Sequence, residues 1–141
     1  INVIRHNSEE NNTENCINKL KKEGYTIIAT TPHTPEITLE EIKFSDNKIA
    51  VLMGTELTGL SEEAIKLADK RMKIEMYGFT ESLNISVSAA ICCQNLSSKL
   101  RKETNNWSIK ETEKSDILLN WLRSTIKSSY HIEEQFLSEI K

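Results

Sequence analysis

Twice in this chain an apolar run ends in a glycine-containing loop and passes straight into a helix start. That repeated junction restricts the fold more than any other feature. The first reads Val51-Leu52-Met53-Gly54-Thr55-Glu56-Leu57-Thr58-Gly59-Leu60-Ser61, and the second runs over residues 74–91, from Ile74 through Gly78, Ser82, Leu83 and Asn84 to Ile91. Upstream, residues 25–31 are β-branched and almost continuously apolar, as expected of a strand covered on both faces. Strands alternating with helices in this way specify an α/β fold with a mostly parallel sheet and helices on both faces. Two loops leaving the carboxyl edge of such a sheet build a cleft. The first amides of the helix after each loop are unpaired donors with a favourable dipole. Each motif alone also has a plainer reading, in which the glycines serve tight turns and Ser61 or Asn84 merely caps a helix.

In chain order, residues 1–5 alternate like the end of a strand, so the polypeptide is read as starting inside a domain. Residues 8–15 are polar and are expected to form a loop running into a helix with Cys16, Ile17 and Leu20 on its apolar face, stopped by Gly24. Pro32 ends the first strand. Thr31-Pro32-His33 can be read as a third wall of the cleft, although an exposed loop histidine is the preferred reading of His33. A loop then leads to a strand over residues 48–53. Ser61 caps a helix that carries Ala64, Ile65, Leu67 and Ala68 inward and ends near Asp69, and the next strand spans residues 72–76. From Asn84 a helix is expected to reach about Lys102, burying Ile85, Ala89, Cys92, Leu96 and Leu100. Beyond residues 104–106, an amphipathic helix over residues 110–127 carries Ile117, Leu118, Trp121, Leu122 and Ile126, and a last helical piece holds Ile132, Phe136, Leu137 and Ile140. Core packing is expected for most of these apolar residues, with burial of the stripe against a second subunit as the alternative.

The chain of 141 residues has a formal charge of only −3, which excludes a strong global attraction for nucleic acid. Local phosphate-binding clusters remain candidates: Lys66, Lys70, Arg71 and Lys73; Lys99, Arg101 and Lys102; and Arg123 with Lys127. Each is equally open to the reading of an ordinary solvated surface. Cys16, Cys92 and Cys93 have no metal-like spacing, and two are adjacent, so they are read as buried, reduced and cytosolic, with no metal site. No secretory signal or membrane-length apolar run is present in the sequence.

Taken together, Met53-Gly54-Thr55-Glu56-Leu57-Thr58-Gly59-Leu60-Ser61 and Ile74-x-Met76-x-Gly78-x-x-x-Ser82-Leu83-Asn84-x-Ser86-Val87-Ser88 resemble the second and third motifs of the SpoU-type RNA ribose 2′-O-methyltransferases. The resemblance implies a SPOUT-class methyltransferase domain over residues 1–103, with a deep trefoil knot, N-terminally incomplete. Residues 104–141 are expected to form a C-terminal helical extension, within which the region from Trp107 to Ile126 resembles the extension of tRNA guanosine methyltransferases of the TrmH group. It further implies S-adenosyl-L-methionine as cofactor, with Gly54, Ile74, Met76 and Leu83 in its pocket and Glu56, Ser82 and Asn84 in the catalytic set. Expected partners are RNA, with tRNA favoured over ribosomal RNA, and a second subunit in a cytoplasmic homodimer without membrane attachment. A non-catalytic RNA-binding or assembly module that retains the knot is the competing class.

Two departures from the family pattern stand out. Glu75 occupies the usual proline position of the third motif, and the first motif, with its asparagine and the arginine usually assigned the catalytic role, is absent. Arg5 lies in no matching context. Replacing Gly54 by Val is therefore expected to lower cofactor affinity while leaving folding largely intact, and this chain alone is expected not to methylate RNA.

Overall fold

The central strand β1, Tyr25–Thr30, buries Ile27 on one face of the sheet and Ile28 on the other. Successive side chains of a strand point to opposite faces, so two adjacent isoleucines demand cover on both. In the computed structural model, which describes residues 3–7, 10–44, 48–80, 82–105 and 107–140, both faces are covered. On one side Ile27 meets Ile17 of helix α1, Asn12–Lys22, and Ala64 of helix α2, Glu62–Leu67. On the other, Ile28 packs with Leu39, Ile42 and Met72 and with Cys92 of helix α3, Ile85–Glu103. Truncating either isoleucine to alanine removes roughly 2–5 kcal/mol of packing.

The sheet has four strands in the order β2-β4-β1-β3, all pairs parallel. Strand β3 is Lys48–Leu52, β4 is Lys70–Lys73, and β2 is the dipeptide Ile37–Thr38. Because the strands are parallel, the exits of β1, β3 and β4 all lie at one edge. The mostly parallel α/β architecture with helices on both faces is therefore present.

Several boundaries differ from those read off the sequence. Strand β4 begins at Lys70 and ends at Lys73, not over residues 72–76, because Lys70, Arg71 and Met72 pair with Ile28, Ala29 and Thr30. Pairing overrides the low strand propensity of two charged residues, and its consequence is that Ile74 and Met76 leave the sheet. Residues 12–15 are the first turn of α1 rather than loop; a polar start escapes an apolar-periodicity reading, and Asn15 Nδ2 donates back to the Glu10 carbonyl at 3.1 Å. Strand β2 stands where the sequence predicts a loop, being too short to show a pattern. Residues 3–5 form no strand, and Val3 and Ile4 are exposed; residues 1–2 lie outside those described. On α3 only Cys92 is fully buried, while Ala89, Leu96 and Leu100 are half-buried and Ile85 is exposed. Cys93 is exposed and Cys16 half-buried, so the reading of all three thiols as buried fails for those two. Burial pushes the Cys92 thiol pKa up, with the adjacent Cys93 adding to the shift.

The chain divides into two units, Ile1–Asn105 and Asn106–Lys141. The second consists of α4, Glu111–Thr125, and α5, Ser129–Glu139. Arg123 of α4 pairs with Glu133 of α5, and Ser129 Oγ donates to the Arg123 carbonyl at 2.9 Å. Two helices cannot enclose a core. Leu118, Trp121, Leu122, Ile126, Ile132, Phe136, Leu137 and Ile140 are accordingly exposed, against the expectation of core packing. Among the described residues no helix is long and apolar enough to cross a membrane.

One carboxylate ties the first unit together over a long sequence separation. Asp69 accepts the Ile27 amide at 2.8 Å and the Lys21 ammonium at 2.7 Å, joining the connection between α2 and β4 to the middle of β1 and to α1. Partial burial pushes its pKa up, but the bonds from Lys21 and Ile27 and the charge of Lys21 outweigh this and hold it below the ordinary aspartate value. A depressed folded-state pKa stabilises the fold above the unfolded pKa, about 3.9, and that contribution disappears as pH falls through the lower folded value. After discounting for solvent screening, Asp69→Ala is expected to lose about 1 kcal/mol in urea unfolding at pH 7. The difference from the parent chain should shrink and disappear as the pH is lowered through the depressed folded-state pKa of Asp69.

Candidate functional site

At the carboxyl edge of the sheet lies a cleft of about 360 Å³. Thr30, Thr31, Pro32 and His33 line it from the end of β1, residues 53–60 from the loop after β3, and Met72, Lys73, Ile74 and Met76 from the end of β4. Ser82, Leu83, Ile85 and Ser88 close it from the second loop and the start of α3. Gly54, Glu56, Ile74, Met76, Ser82 and Leu83, singled out in the sequence, are thus gathered around one cavity. Thr31, Pro32 and His33 line it too, with His33 exposed, so both readings of that histidine hold at once.

Asn84 sits outside the lining and links the two loops. Its Oδ1 accepts the Ser86 amide at 2.9 Å, capping α3, and its Nδ2 donates to Glu56 Oε1 at 2.9 Å. The cap fixes the orientation of the amide, because only the oxygen can accept an N–H. The nitrogen is thereby left to face the carboxylate. Capping and bracing are consequently the same residue's work, not alternatives. Ser61 likewise caps α2, its Oγ accepting the Ala64 amide at 3.2 Å.

The first loop is closed on itself. Thr55 and Gly59 exchange backbone hydrogen bonds, each 3.0 Å long, and the hydroxyls of Thr55 and Thr58 lie 2.7 Å apart. A Cβ on Gly54 would overlap the backbone of Gly59 and Leu60. The glycine is therefore required by the loop's own chain, before any ligand is considered. This corrects the expectation that Gly54→Val would spare folding.

Sequence reasoning did not single out Thr30, Met53, Ile65, Lys73, Ile85 or Ser88 as lining residues. No sequence motif marks Thr30, whose Oγ1 donates to the Leu52 carbonyl at 2.9 Å and pins the exits of β1 and β3 side by side. Each basic cluster has members engaged within the fold. Lys66 pairs with Glu62, and Arg71 with Glu36 at 2.5 Å, while Lys99 donates to the carbonyls of Leu39, Glu40 and Ile42. The Arg71 guanidinium holds the Glu36 carboxyl below its ordinary pKa. Among the described residues no group of His, Cys, Asp or Glu is placed to hold a metal ion. Apolar walls with hydroxyls at the edges suit a ligand that is partly apolar and polar at its rim.

The SpoU rRNA Methylase family model matches residues 2–94. The chain belongs to the SpoU rRNA methylase family. Among SpoU relatives, the tRNA (guanosine(18)-2′-O)-methyltransferase of Borreliella burgdorferi is 43% identical over 122 residues, covering 86% of this chain and 56% of the relative. The crystal structure of the Aquifex aeolicus TrmH/SpoU tRNA modifying enzyme aligns with a TM-score of 0.68 and 28% identity, over 82% of this chain and 59% of that one. The AdoMet-bound rRNA methyltransferase of Sinorhizobium meliloti aligns with a TM-score of 0.57 and 25% identity, over 62% of this chain and 33% of that one. The SpoU chain described here spans just over half the length of the curated relatives it matches first.

In this SpoU chain the overlap at Gly54 makes a direct prediction. Gly54→Ala should destabilise the fold by roughly 1–3 kcal/mol through overpacking. Amide exchange at Thr55 and Gly59 should rise together, because their mutual bonds break as one unit. Unchanged exchange at both amides would show that the loop tolerates a methyl group.

Proposed function

We propose that this SpoU-family chain forms the S-adenosyl-L-methionine pocket and part of the catalytic centre of an RNA ribose 2′-O-methyltransferase acting on a tRNA guanosine. The observation that carries this reading is the Asn84–Glu56 hydrogen bond, which clamps together the two loops walling the cleft. Support comes from the Borreliella relative's name and from the cofactor named for the Sinorhizobium structure. The cavity fits the group: its volume is within the range of small-ligand sites, roughly 300–1,000 Å³, and Ile74, Met76 and Leu83 offer apolar surface to an adenosyl moiety. When bound, the cofactor supplies a methyl group on a sulfonium, ready for transfer to a ribose oxygen.

The chain's own residues position and polarise. Gly54 lets the first loop fold tightly enough to present its backbone to the cleft, and Ser82 contributes a hydroxyl at the wall. Asn84 fixes one oxygen of Glu56, leaving Oε2 without a hydrogen-bond partner among the described residues and available to orient a donor on the substrate side. Glu75, at the family's usual proline position, is exposed and accepts a long bond from the Tyr77 hydroxyl, so it lies outside the lining. No arginine lines the cleft among the described residues, and we assign that role to none of them. The reading extends to the family's deep trefoil knot, to a cytoplasmic location, and to a homodimer that buries a stripe made of half-buried Ile117 and exposed Trp121, Leu122 and Ile126. Ribosomal RNA is the second substrate reading, favoured by the family's description and by the Sinorhizobium enzyme.

The test is tritiated methyl transfer to unmodified tRNA and to ribosomal RNA fragments, by this chain and by a chimera carrying the Borreliella segments it does not match. The chimera is expected to methylate tRNA, with the chain alone slower by about a hundredfold or more, given how steeply rate falls with imperfect positioning. Transfer to ribosomal RNA in preference would select the second reading, and cofactor binding without transfer by the chimera would select a non-catalytic module. Within the chimera, Asn84→Asp keeps a good helix cap but sets two carboxylates face to face. Thermal stability should then change by under about 1 kcal/mol, while transfer falls about a hundredfold. A variant with full activity would remove the clamp from the mechanism.

A further inference from the structure

We infer that Tyr77 and Phe79, with Leu57 beside the cleft, form a platform that takes the base of the nucleotide whose ribose enters the site. This inference rests on the RNA reading above and deepens it. Three large apolar side chains are almost wholly in solvent: Leu57 is 97% exposed, Tyr77 93% and Phe79 107%. Single exposed apolar residues need no explanation, but these fall on the two loops that wall the cleft. Leu57 itself lines the cavity, and Tyr77 and Phe79 lie between its lining residues Met76 and Ser82.

The loops present these side chains rather than letting them collapse onto the sheet. Leu57 sits inside the turn closed by the reciprocal Thr55–Gly59 bonds. Gly78 turns the chain between the two rings at a φ of +127°, a conformation that other residues rarely adopt. Volume decides what the platform is for. At about 360 Å³ the cavity is near the lower end for one small ligand, a size suited to the cofactor alone. The base then lies on the mouth, while Lys73 in the lining carries a positive charge suited to the phosphodiester. Splayed bases in RNA are held by stacking on aromatic rings, and the base face is the part of the substrate that an apolar rim recognises.

The experiment measures anisotropy of fluorescein-labelled unmodified tRNA titrated with the chain and with its Tyr77→Ala, Phe79→Ala and Phe79→Trp variants. Either alanine variant should raise Kd about tenfold, within the range that loss of one stacked base produces. Phe79→Trp should keep the parent affinity, and its added indole emission should be quenched by RNA. Calorimetry with S-adenosylmethionine should give the same affinity for all four proteins, since neither ring lines the cavity. Parent-like RNA affinity in Phe79→Ala, or indole emission indifferent to RNA, overturns the platform. So does emission that instead follows protein concentration without RNA, because the ring is then covered by a second copy. Quenching and weakened binding alongside an inactive chimera would leave the platform standing and sink the methyl-transfer reading, whereas an active chimera with parent-like Phe79→Ala binding would do the reverse.

Discussion

Everything at the cleft depends on β1 being the middle of a parallel sheet that must be covered on both faces. Ile27 and Ile28 are adjacent and both buried, so helices are recruited to each side, α1 and α2 to one and α3 to the other. Helical crossovers keep neighbouring strands parallel, and parallel strands place their exits at one edge. That is why loops distant in sequence, at residues 53–60 and 74–83, share a cavity with Thr30 and Thr31. Asp69 and Thr30 hold the arrangement at the middle and the exit of β1, the first by accepting the Ile27 amide and the second by donating to the Leu52 carbonyl.

Within that frame two local contacts set the shape of the site. The approach of the Gly59 and Leu60 backbone to Gly54 leaves no room for a side chain, so the first loop doubles back tightly and carries Glu56 with it. Asn84 then joins Glu56 to the start of α3 through one amide used at both ends. The helix dipole and the clamp act at the same place, since the capped N-terminus of α3 adjoins the cavity that Leu83 and Ile85 line.

The two junctions were legible in the sequence because glycine, a capping asparagine and a capping serine mark them by chemistry that needs no tertiary context. All seven residues singled out for the site either line the cavity or bond to one that does. What the sequence concealed was set by pairing. Lys70 and Arg71 look unlike strand residues, yet the ladder to Ile28 and Ala29 makes them one, and Ile74 and Met76 are released to the cleft as a result. Strand β2 is two residues long, and the polar first turn of α1 has no apolar rhythm to betray it. The stripes of α4 and α5 read as core because apolar periodicity reports a face that wants cover without saying what provides it; in this chain those residues are exposed. Engagement of Arg71 by Glu36 and of Lys99 by three carbonyls was equally invisible to a count of charges.

The central claim is that the two clamped loops form one cofactor-binding surface. The most direct measurement is an NMR titration of the isotopically labelled chain with S-adenosylmethionine, following backbone amides. Shifts should concentrate at Thr55, Gly59, Leu83 and Ser86 and move together with one dissociation constant, while amides of α4 and α5 stay still. No saturable shift, or shifts confined to residues 111–139, would contradict the account.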